Sequence, residues 1–368
     1  MKMPFSRYCL GLLVPILLLA GCGEKAGDTS TAAAAAPEVK TYEWKMVTSW
    51  PKNFPGLGRA PETFAEYVNK MSNGRLKVKV YGAGELVPGF EVFDAVSQGS
   101  VQMGHAAAYY WKGKAPAAQL FGAIPFGMNA QELNAWFYYG GGLELWREVY
   151  APFNIIPFPG GNTGVQMAGW FKKEINSVDD LKGLKMRIPG LGGEVLKKLG
   201  GIPVSMPGGE LFTALQSGAI DATEWVGPYN DLAFGLNKAA DYYYYSGWHE
   251  AGTALEFMVN KDAYESLPKD LQAIIDVATQ AVDLDMLNEY TARNNEALDT
   301  LVKREGVDVR PLPEDVMSAL KKATKEVLAE QAAADPVFAR VYESYKAFYD
   351  RVKAYHQISE LEYYLNRQ

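Results

Sequence analysis

Two segments of this chain, residues 88–101 and 207–220, repeat one pattern without a gap. Each begins with Pro-Gly, continues with apolar residues at helical spacing, and reaches a glycine two positions before a β-branched residue. This order predicts a loop, a helix, a turn and a strand in each copy. Two copies predict two similar lobes, whose equivalent loops face each other across a cleft that can enclose a small molecule. The alternative is chance, since a glycine turn after an amphipathic helix recurs in α/β proteins.

The first 21 residues have the pattern of an export signal. Lys2 and Arg7 precede an apolar run, residues 11–20, which is too short to span a bilayer comfortably. The run ends in Leu-Ala-Gly-Cys22, which resembles the lipobox of bacterial lipoproteins. We therefore predict that residues 1–21 are a lipoprotein signal peptide and that Cys22 is lipidated, which would place the protein in the periplasm, anchored to a membrane. The alternative is an ordinary signal peptide without a lipid.

The segment that follows, residues 22–40, has small side chains and no apolar periodicity, so we predict a flexible tether. The chain has a formal net charge of −7, which argues against nucleic acid as a partner and against electrostatic binding to anionic lipid. Its two cysteines, Cys9 and Cys22, precede the predicted folded part. We therefore expect no disulfide there.

After the tether, predicted strands and helices alternate, which indicates an α/β protein with mixed, mostly parallel sheets. Residues 154–171 and 254–260 are predicted to cross between the lobes. Residues 270–304 form one long helical pattern, which would extend about 50 Å and brace both lobes. The predicted domains are lobe I, residues 41–163 with about 252–285; lobe II, residues 164–251 with about 286–345; and a C-terminal helical tail, residues 346–368.

Catalytic motifs are scarce in this sequence. It contains no Gly-x-Ser-x-Gly, no Walker-type phosphate loop and no HExxH motif. The three histidines, His105, His249 and His356, have no metal-ligand spacing, and we expect structural or surface roles for them. Residues 190–193 are rich in glycine and resemble a dinucleotide loop only weakly, so we expect a turn that opens a helix.

Arg187 is the first candidate binding residue. Leu184, Met186 and Ile188 would share one face of a strand, which leaves Arg187 on the other face at the end of that strand. Strand ends of α/β sheets border the ligand crevice, and a guanidinium matches a carboxylate with two parallel hydrogen bonds. Arg187 is therefore a candidate for binding a carboxylate, although these residues by themselves favour a surface salt bridge.

The ends of the two repeat copies supply further candidates. Glu224 and Trp225 follow the second copy, while Tyr109 and Tyr110 follow the first, and all four should emerge at the cleft. A carboxylate and an arginine in one cleft indicate either a zwitterionic ligand or a cation beside an anionic ligand. Oxygen donors without a cysteine or histidine cluster suit Na⁺ or Ca²⁺ better than zinc.

Residues 175–187 and 211–225 together resemble the solute-binding proteins of tripartite ATP-independent periplasmic (TRAP) transporters, and the resemblance covers residues 43–345. The chain is most similar to the branch that binds 2-oxo or 2-hydroxy monocarboxylates, such as pyruvate or lactate, with a metal ion. The resemblance implies the two-lobed periplasmic binding protein fold, with crossing strands and a long bracing helix.

The resemblance also implies roles for individual residues. Arg187 would hold the carboxylate of the ligand, and Tyr110 would contact the ligand from the first lobe. The implied ligands of a Na⁺ or Ca²⁺ ion are Gln166, Glu224, the backbone of Trp225, and Glu256. Gln166 and Glu256 are also expected beside the bound acid. No organic cofactor is implied.

The sequence therefore predicts a non-enzymatic binding protein that delivers a small organic acid to TRAP permease subunits in the membrane. The alternatives are an exported lyase or hydrolase acting on an acidic sugar, and a ligand-sensing module of a signalling receptor. Ile358, Leu361 and Leu365 form an apolar stripe in the tail, which either makes a homodimer or packs on its own domain. Some family members pair through such a helix, which favours the homodimer.

Overall fold

A computed structural model describes residues 40–367 of the chain. The predicted signal peptide, the lipidation at Cys22 and the predicted tether, apart from its last residue, lie outside the described residues. Among residues 40–367, no helix has both the length and the apolarity needed to cross a membrane.

Two mixed β-sheets form the framework. The strands, in chain order, are β1 Tyr42–Thr48, β2 Leu76–Tyr81, β3 Met103–Ala106, β4 Ile155–Asn162, β5 Gly169–Phe171, β6 Lys185–Arg187, β7 Ile202–Val204, β8 Ala222–Thr223, β9 Tyr242–Tyr245, β10 Ala254–Asn260 and β11 Asp308–Pro311. One sheet has five strands in the order β2-β1-β3-β10-β4, and the other has six in the order β11-β9-β5-β8-β6-β7. The two-lobed α/β fold expected from the sequence is confirmed.

Helices surround both sheets. In chain order they are α1 Arg59–Met71, α2 Val92–Ser97, α3 Gln119–Gly122, α4 Ala130–Tyr139, α5 Gly142–Tyr150, α6 Gly190–Lys198, α7 Leu211–Ser217, α8 Pro228–Phe234, α9 Lys261–Glu265, α10 Lys269–Lys303, α11 Glu314–Ala334, α12 Pro336–Ile358 and α13 Glu360–Asn366. β1 and β2 pair in parallel across α1, as a strand–helix–strand unit requires. β10 instead pairs antiparallel with β3 and β4, because it returns from the other sheet.

The repeated segments adopt the same local structure in different sheets. The first copy forms α2 and leads into β3 of the five-stranded sheet, and the second forms α7 and leads into β8 of the six-stranded sheet. Gly99 and Gly218 end these helices with φ angles of +72° and +77°, a conformation that favours glycine over any residue with a side chain. The loop–helix–turn–strand prediction is confirmed for both copies.

Two segments without regular structure carry the chain between the sheets, and helix α10 carries it across again, from β10 to β11. Residues 163–168 connect β4 to β5, and residues 246–253 connect β9 back to β10. The first segment lies inside the predicted crossing. The second segment lies before the predicted return crossing, residues 254–260. Those residues instead form a strand of the five-stranded sheet.

Helix α10 is the predicted brace and has 35 residues. It packs against α1 and β4 beside the five-stranded sheet and against α8 beside the other. Its buried face carries apolar side chains at helical spacing: Leu271, Ile275, Ala278, Val282, Met286 and Tyr290. One continuous apolar face therefore packs on elements of both halves.

The C-terminal helices pack on the first half of the chain as well as on each other. Helix α12 passes without a break through the predicted boundary at residue 345, and it packs on α3, α4 and α5 as well as on α11. Its Tyr345 hydroxyl accepts a hydrogen bond from the backbone N–H of Met128 at 2.6 Å. The stripe residues Ile358, Leu361 and Leu365 are exposed by 75%, 50% and 61%. The predicted domain boundaries and the dimer contact stay predictions.

Two leucines of α10 provide a matched test of the brace. Leu271 is fully buried, whereas Leu284 is 59% exposed on the same helix. We expect Leu271→Ala to lower the free energy of unfolding by about 2–5 kcal/mol, because it removes packed methyl groups and leaves a cavity. Leu284→Ala should change it by no more than about 0.5 kcal/mol. Urea denaturation of both variants measures this, and equal losses would contradict the proposed packing of α10.

Candidate functional site

A narrow cavity of about 10 Å³ lies where the two sheets approach each other. This is near the smallest cavity that holds one water molecule, so the two halves are closed upon it. Its walls come from both sheets and both crossing segments: Trp50, Leu57, Tyr109, Tyr110, Thr163, Gln166, Arg187, Trp225, Val226, Thr253 and Leu255. The predicted residues Tyr110, Gln166, Arg187 and Trp225 are therefore brought together.

Arg187 occupies the end of β6 and is 1% exposed. Its Nε donates to the carbonyl oxygen of Met206 at 3.3 Å, and its Nη2 donates to the Tyr110 hydroxyl at 3.3 Å. Its Nη1 donates to Glu224 Oε1. The guanidinium also lies over the Trp225 ring, 4.9 Å from its centroid, where a cation is attracted to the aromatic face.

Neighbouring strands explain how Arg187 and Glu224 meet. β6 and β8 are parallel neighbours, with Arg187 opposite Thr223, so that the carboxyl ends of both strands reach the same edge of the sheet. The backbone N–H of Glu224 donates to the carbonyl oxygen of Arg187 at 3.2 Å. The two charged side chains are thus fixed side by side at the cavity.

The two crossing segments run together beneath this pair. The backbone N–H of Gln166 donates to the carbonyl oxygen of Glu250 at 3.2 Å. The Gln166 side-chain nitrogen donates to Glu250 Oε2 at 2.8 Å and to the hydroxyl oxygens of Thr163 and Thr253, each at 3.1 Å. The Thr253 hydroxyl donates to Glu250 Oε2 as well. Glu250 is thereby held next to Gln166 and close to Glu224.

Several buried polar atoms of this cluster lack a partner. Glu224 Oε2 and Gln166 Oε1 accept no hydrogen bond, and neither ring nitrogen of His249 forms one. Glu224, His249 and Glu250 each offer a ligand atom, and these atoms lie within 4.8 Å of one another. His249 Nε2 is 3.4 Å from Glu224 Oε2. Carboxylate and amide oxygens are the donors that Ca²⁺ prefers in proteins, so these residues fit the expected Na⁺ or Ca²⁺ ion.

Burial controls the titration of the site. It raises the pKa of the Glu250 carboxyl, and the nearby charge of Glu224 raises it further. It likewise raises the pKa of Tyr110 to about 12, although the adjacent Arg187 opposes this. Burial is the largest influence on Arg187 and opposes its charge, but the surrounding groups, of which Glu224 contributes most, together outweigh burial and raise the pKa of the guanidinium. Tyr110 is therefore neutral and Arg187 charged at neutral pH.

Glu256 does not line the cavity. It lies in β10, where its Oε1 accepts a hydrogen bond from Trp111 Nε1 at 2.6 Å in a fully buried setting. Its neighbour Leu255 lines the cavity instead, because adjacent residues of a strand point to opposite faces. The structure therefore does not bring Glu256 to the cluster, where Glu250 accompanies Glu224 instead.

Sequence reasoning missed Glu250 and the proximity of His249. Both lie in the second crossing segment, as Gln166 lies in the first. A search for polar side chains in both segments between the sheets, rather than in the strand that follows, would have found them. No regular spacing marks these residues, because the segments that carry them are neither helix nor strand.

Two other histidines have structural partners, as expected. His105 Nδ1 accepts a hydrogen bond from Trp50 Nε1 at 2.7 Å, and its Nε2 donates to the carbonyl oxygen of Gly160 at 2.8 Å. Since that carbonyl can only accept, the proton lies on Nε2. Burial lowers the pKa of His105 to about 4. His356 Nδ1 lies 2.6 Å from Glu132 Oε1, away from the cavity.

Comparison with protein families matches residues 46–335 to one described as bacterial extracellular solute-binding protein, family 7 (DctP). Over 336 residues the chain is 49% identical to a monocarboxylate 2-oxoacid-binding periplasmic protein of Nostoc sp., and the match covers 91% of each chain.

Two crystal structures of TRAP periplasmic solute-binding proteins are similar to the structure described above. One, from Pseudoalteromonas atlantica, contains bound sodium and pyruvate; it is 48% identical, with a TM-score of 0.87 covering 89% of this chain and 99% of that one. The other, from Colwellia psychrerythraea, contains bound calcium and pyruvate; it is 50% identical, with a TM-score of 0.87 covering 89% of this chain and 100% of that one.

Proposed function

Because this chain belongs to family 7 of the bacterial extracellular solute-binding proteins, we propose that it binds a small 2-oxo or 2-hydroxy monocarboxylate, such as pyruvate or lactate, together with Na⁺ or Ca²⁺. It then delivers the acid to the membrane subunits of a TRAP transporter. The relatives from Pseudoalteromonas atlantica and Colwellia psychrerythraea contain pyruvate with sodium and with calcium. The Nostoc relative is named for 2-oxoacid binding.

The observation that carries this proposal is the uneven charge of the buried cluster. Arg187 is one cation beside two carboxylates, Glu224 and Glu250, all removed from water. Buried charges are costly unless they are paired. When bound, a cation would offset the excess negative charge and accept electron pairs from Glu224, Glu250 and the free oxygen of Gln166. The carbonyl oxygen of Trp225 is a further proposed ligand.

Arg187 would hold the carboxylate of the acid. Its Nε is already occupied by the carbonyl oxygen of Met206, whereas Nη1 and Nη2 are directed at Glu224 and Tyr110 beside the cavity. Among the described residues that line the cavity, Arg187 is the one cationic side chain. One guanidinium matches one carboxylate, which favours a monocarboxylate over a dicarboxylate. Tyr110, neutral at physiological pH, would donate a hydrogen bond from the opposite wall.

Delivery follows from the closed arrangement. Since the cavity walls come from both sheets, a ligand that contacts both walls stabilises the closed state over the open one. A permease that recognises both lobes in their closed positions would then engage the loaded protein preferentially. Lipid anchoring through Cys22 and pairing through the exposed stripe of the tail are further proposals; each would change where the protein works without changing the cavity.

Isothermal titration calorimetry with a panel of acids tests the function. We expect pyruvate or lactate to bind in the presence of Na⁺ or Ca²⁺, with succinate and glucuronate much weaker. Arg187→Lys should weaken binding at least about tenfold, because lysine cannot form the two parallel bonds.

The exposed Arg340 provides the control, since Arg340→Lys should leave the affinity unchanged. Binding that persists in chelator without added Na⁺ would remove the cation from the proposal. Turnover of a bound acid would favour the lyase or hydrolase alternative instead.

Two buried glutamates distinguish the proposed cation site from the one expected from sequence. Glu250 lies at the cluster, whereas Glu256 accepts a hydrogen bond from Trp111 on another face of the sheet. Glu250→Gln removes one negative charge from the site and should weaken Ca²⁺-dependent binding of pyruvate by at least about tenfold. Glu256→Gln should change this affinity little. The reverse order in calorimetry would restore Glu256 as the ligand.

The raised pKa of Glu250 predicts opposite pH trends for affinity and stability. Calcium binds the ionised carboxyl, so Ca²⁺-dependent affinity should fall, by up to about tenfold per pH unit, as pH decreases through this pKa. The folded protein without metal holds the proton more tightly than the unfolded chain, so the stability that the proton confers is lost as pH rises through the folded pKa. Calorimetry and thermal denaturation between about pH 5 and 8 measure both, and Glu250→Gln should flatten both trends.

A further inference from the structure

A small group of buried polar side chains joins the two halves beside the cavity, outside the proposed ligand and cation site. The Asn230 side-chain nitrogen donates to the carbonyl oxygen of Pro55 at 3.0 Å, and Asn230 Oδ1 accepts from the Tyr290 hydroxyl at 2.9 Å. The Tyr290 hydroxyl also lies 3.4 Å from the Pro55 carbonyl oxygen. Asn230 and Tyr290 are 0% and 1% exposed.

The hydrogen-bonding capacity of each group fixes this arrangement. A proline carbonyl can only accept, so the amide nitrogen of Asn230 faces Pro55 and its oxygen faces the hydroxyl of Tyr290. Every polar atom of the Asn230 side chain therefore has a partner. Removing either partner would leave a buried polar atom unsatisfied, which is unfavourable.

The group connects opposite walls of the cavity. Pro55 lies in the loop that follows β1 and supplies Leu57 to one wall. Asn230 lies in α8, which begins three residues after Trp225 of the other wall. Tyr290 belongs to the bracing helix α10. The hydrogen bonds thus tie a loop of one half, a helix of the other half and the brace together.

The loop is also shaped against the Tyr290 ring. Gly56 has a φ angle of +62°, and a Cβ atom there would lie 2.4 Å from the Tyr290 ring and hydroxyl. Only glycine fits this contact. A second contact at the same junction stacks Phe54 on Phe234, with ring centroids 4.2 Å apart. The loop therefore contacts α8 at two points, Asn230 and Phe234.

We propose that Asn230 and Tyr290 are positioning residues, which fasten the loop with Leu57 to α8 and thereby set how long a bound acid is retained. Neither residue lines the cavity. The inference rests on the proposed function, since it assigns these residues a role in retaining the acid bound there. Loss of the connection lets the two walls separate more readily, so the dissociation rate increases while the association rate changes little.

Stopped-flow fluorescence tests this, because Trp50 and Trp225 line the cavity, so we expect their emission to change on binding. With pyruvate and Ca²⁺, we expect Tyr290→Phe and Asn230→Leu each to raise the dissociation rate about tenfold. The double variant should raise the dissociation rate by less than the product of the two single effects, because both substitutions disrupt one network. The loss of one hydroxyl should not prevent Tyr290→Phe from folding.

Tyr229→Phe is the matched control. The Tyr229 hydroxyl donates to Glu289 at 3.1 Å, so this hydrogen bond joins α8 to α10 and does not include the loop. Its removal should change the dissociation rate by no more than about twofold. A merely structural role for Tyr290 and Asn230 would lower the thermal midpoint of the ligand-free protein and leave the dissociation rate unchanged. That result overturns the inference while the proposed function stands; a parent protein that binds none of the acids overturns the proposed function itself.

Discussion

The excess negative charge buried around Arg187 is the constraint on which the cleft depends. Glu224 and Glu250 are held out of water with a single guanidinium between the lobes. Such a cluster is stable only if each charge finds a partner or loses its charge by protonation. Arg187 pairs with Glu224, and burial favours the protonated form of Glu250. The cleft is therefore suited to a cation together with an anion, and a bound metal with a carboxylate supplies both.

Different parts of the fold bring these charges together. Adjacent parallel strands place Arg187 and Glu224 at one sheet edge, while the two crossing segments place Gln166 and Glu250 next to each other. The crossing segments are also where the halves move relative to each other in a hinged protein. Cation ligands in these segments would couple the occupancy of the site to the closure of the lobes. The bracing helix and Asn230 hold the walls in the same closed arrangement from the side.

Local patterns gave the correct outline of this protein. The alternation of residues 184–188 predicts Arg187 at a strand end, where the structure has it. The second repeat copy predicts Trp225 at the cleft, where it lines the cavity, and Glu224 next to it, where it pairs with Arg187. Both inferences hold because the direction of a side chain along a strand depends on its immediate neighbours alone. The 35-residue brace was equally visible, since helical periodicity is a local property. Glu256 lies apart from the cluster because the return crossing ends just before strand β10, and its role as a ligand stays a prediction.

The sequence by itself determined the two lobes, the bracing helix, and an arginine and a glutamate at strand ends that border one cleft. The tertiary structure alone decided that Glu250 joins Gln166, that His249 approaches Glu224 within 3.4 Å, and that Asn230 ties Pro55 to Tyr290. These contacts join irregular segments or residues far apart in the chain. Their partners are chosen by packing and by the need to satisfy buried polar groups, and neither leaves a periodic signal in the sequence.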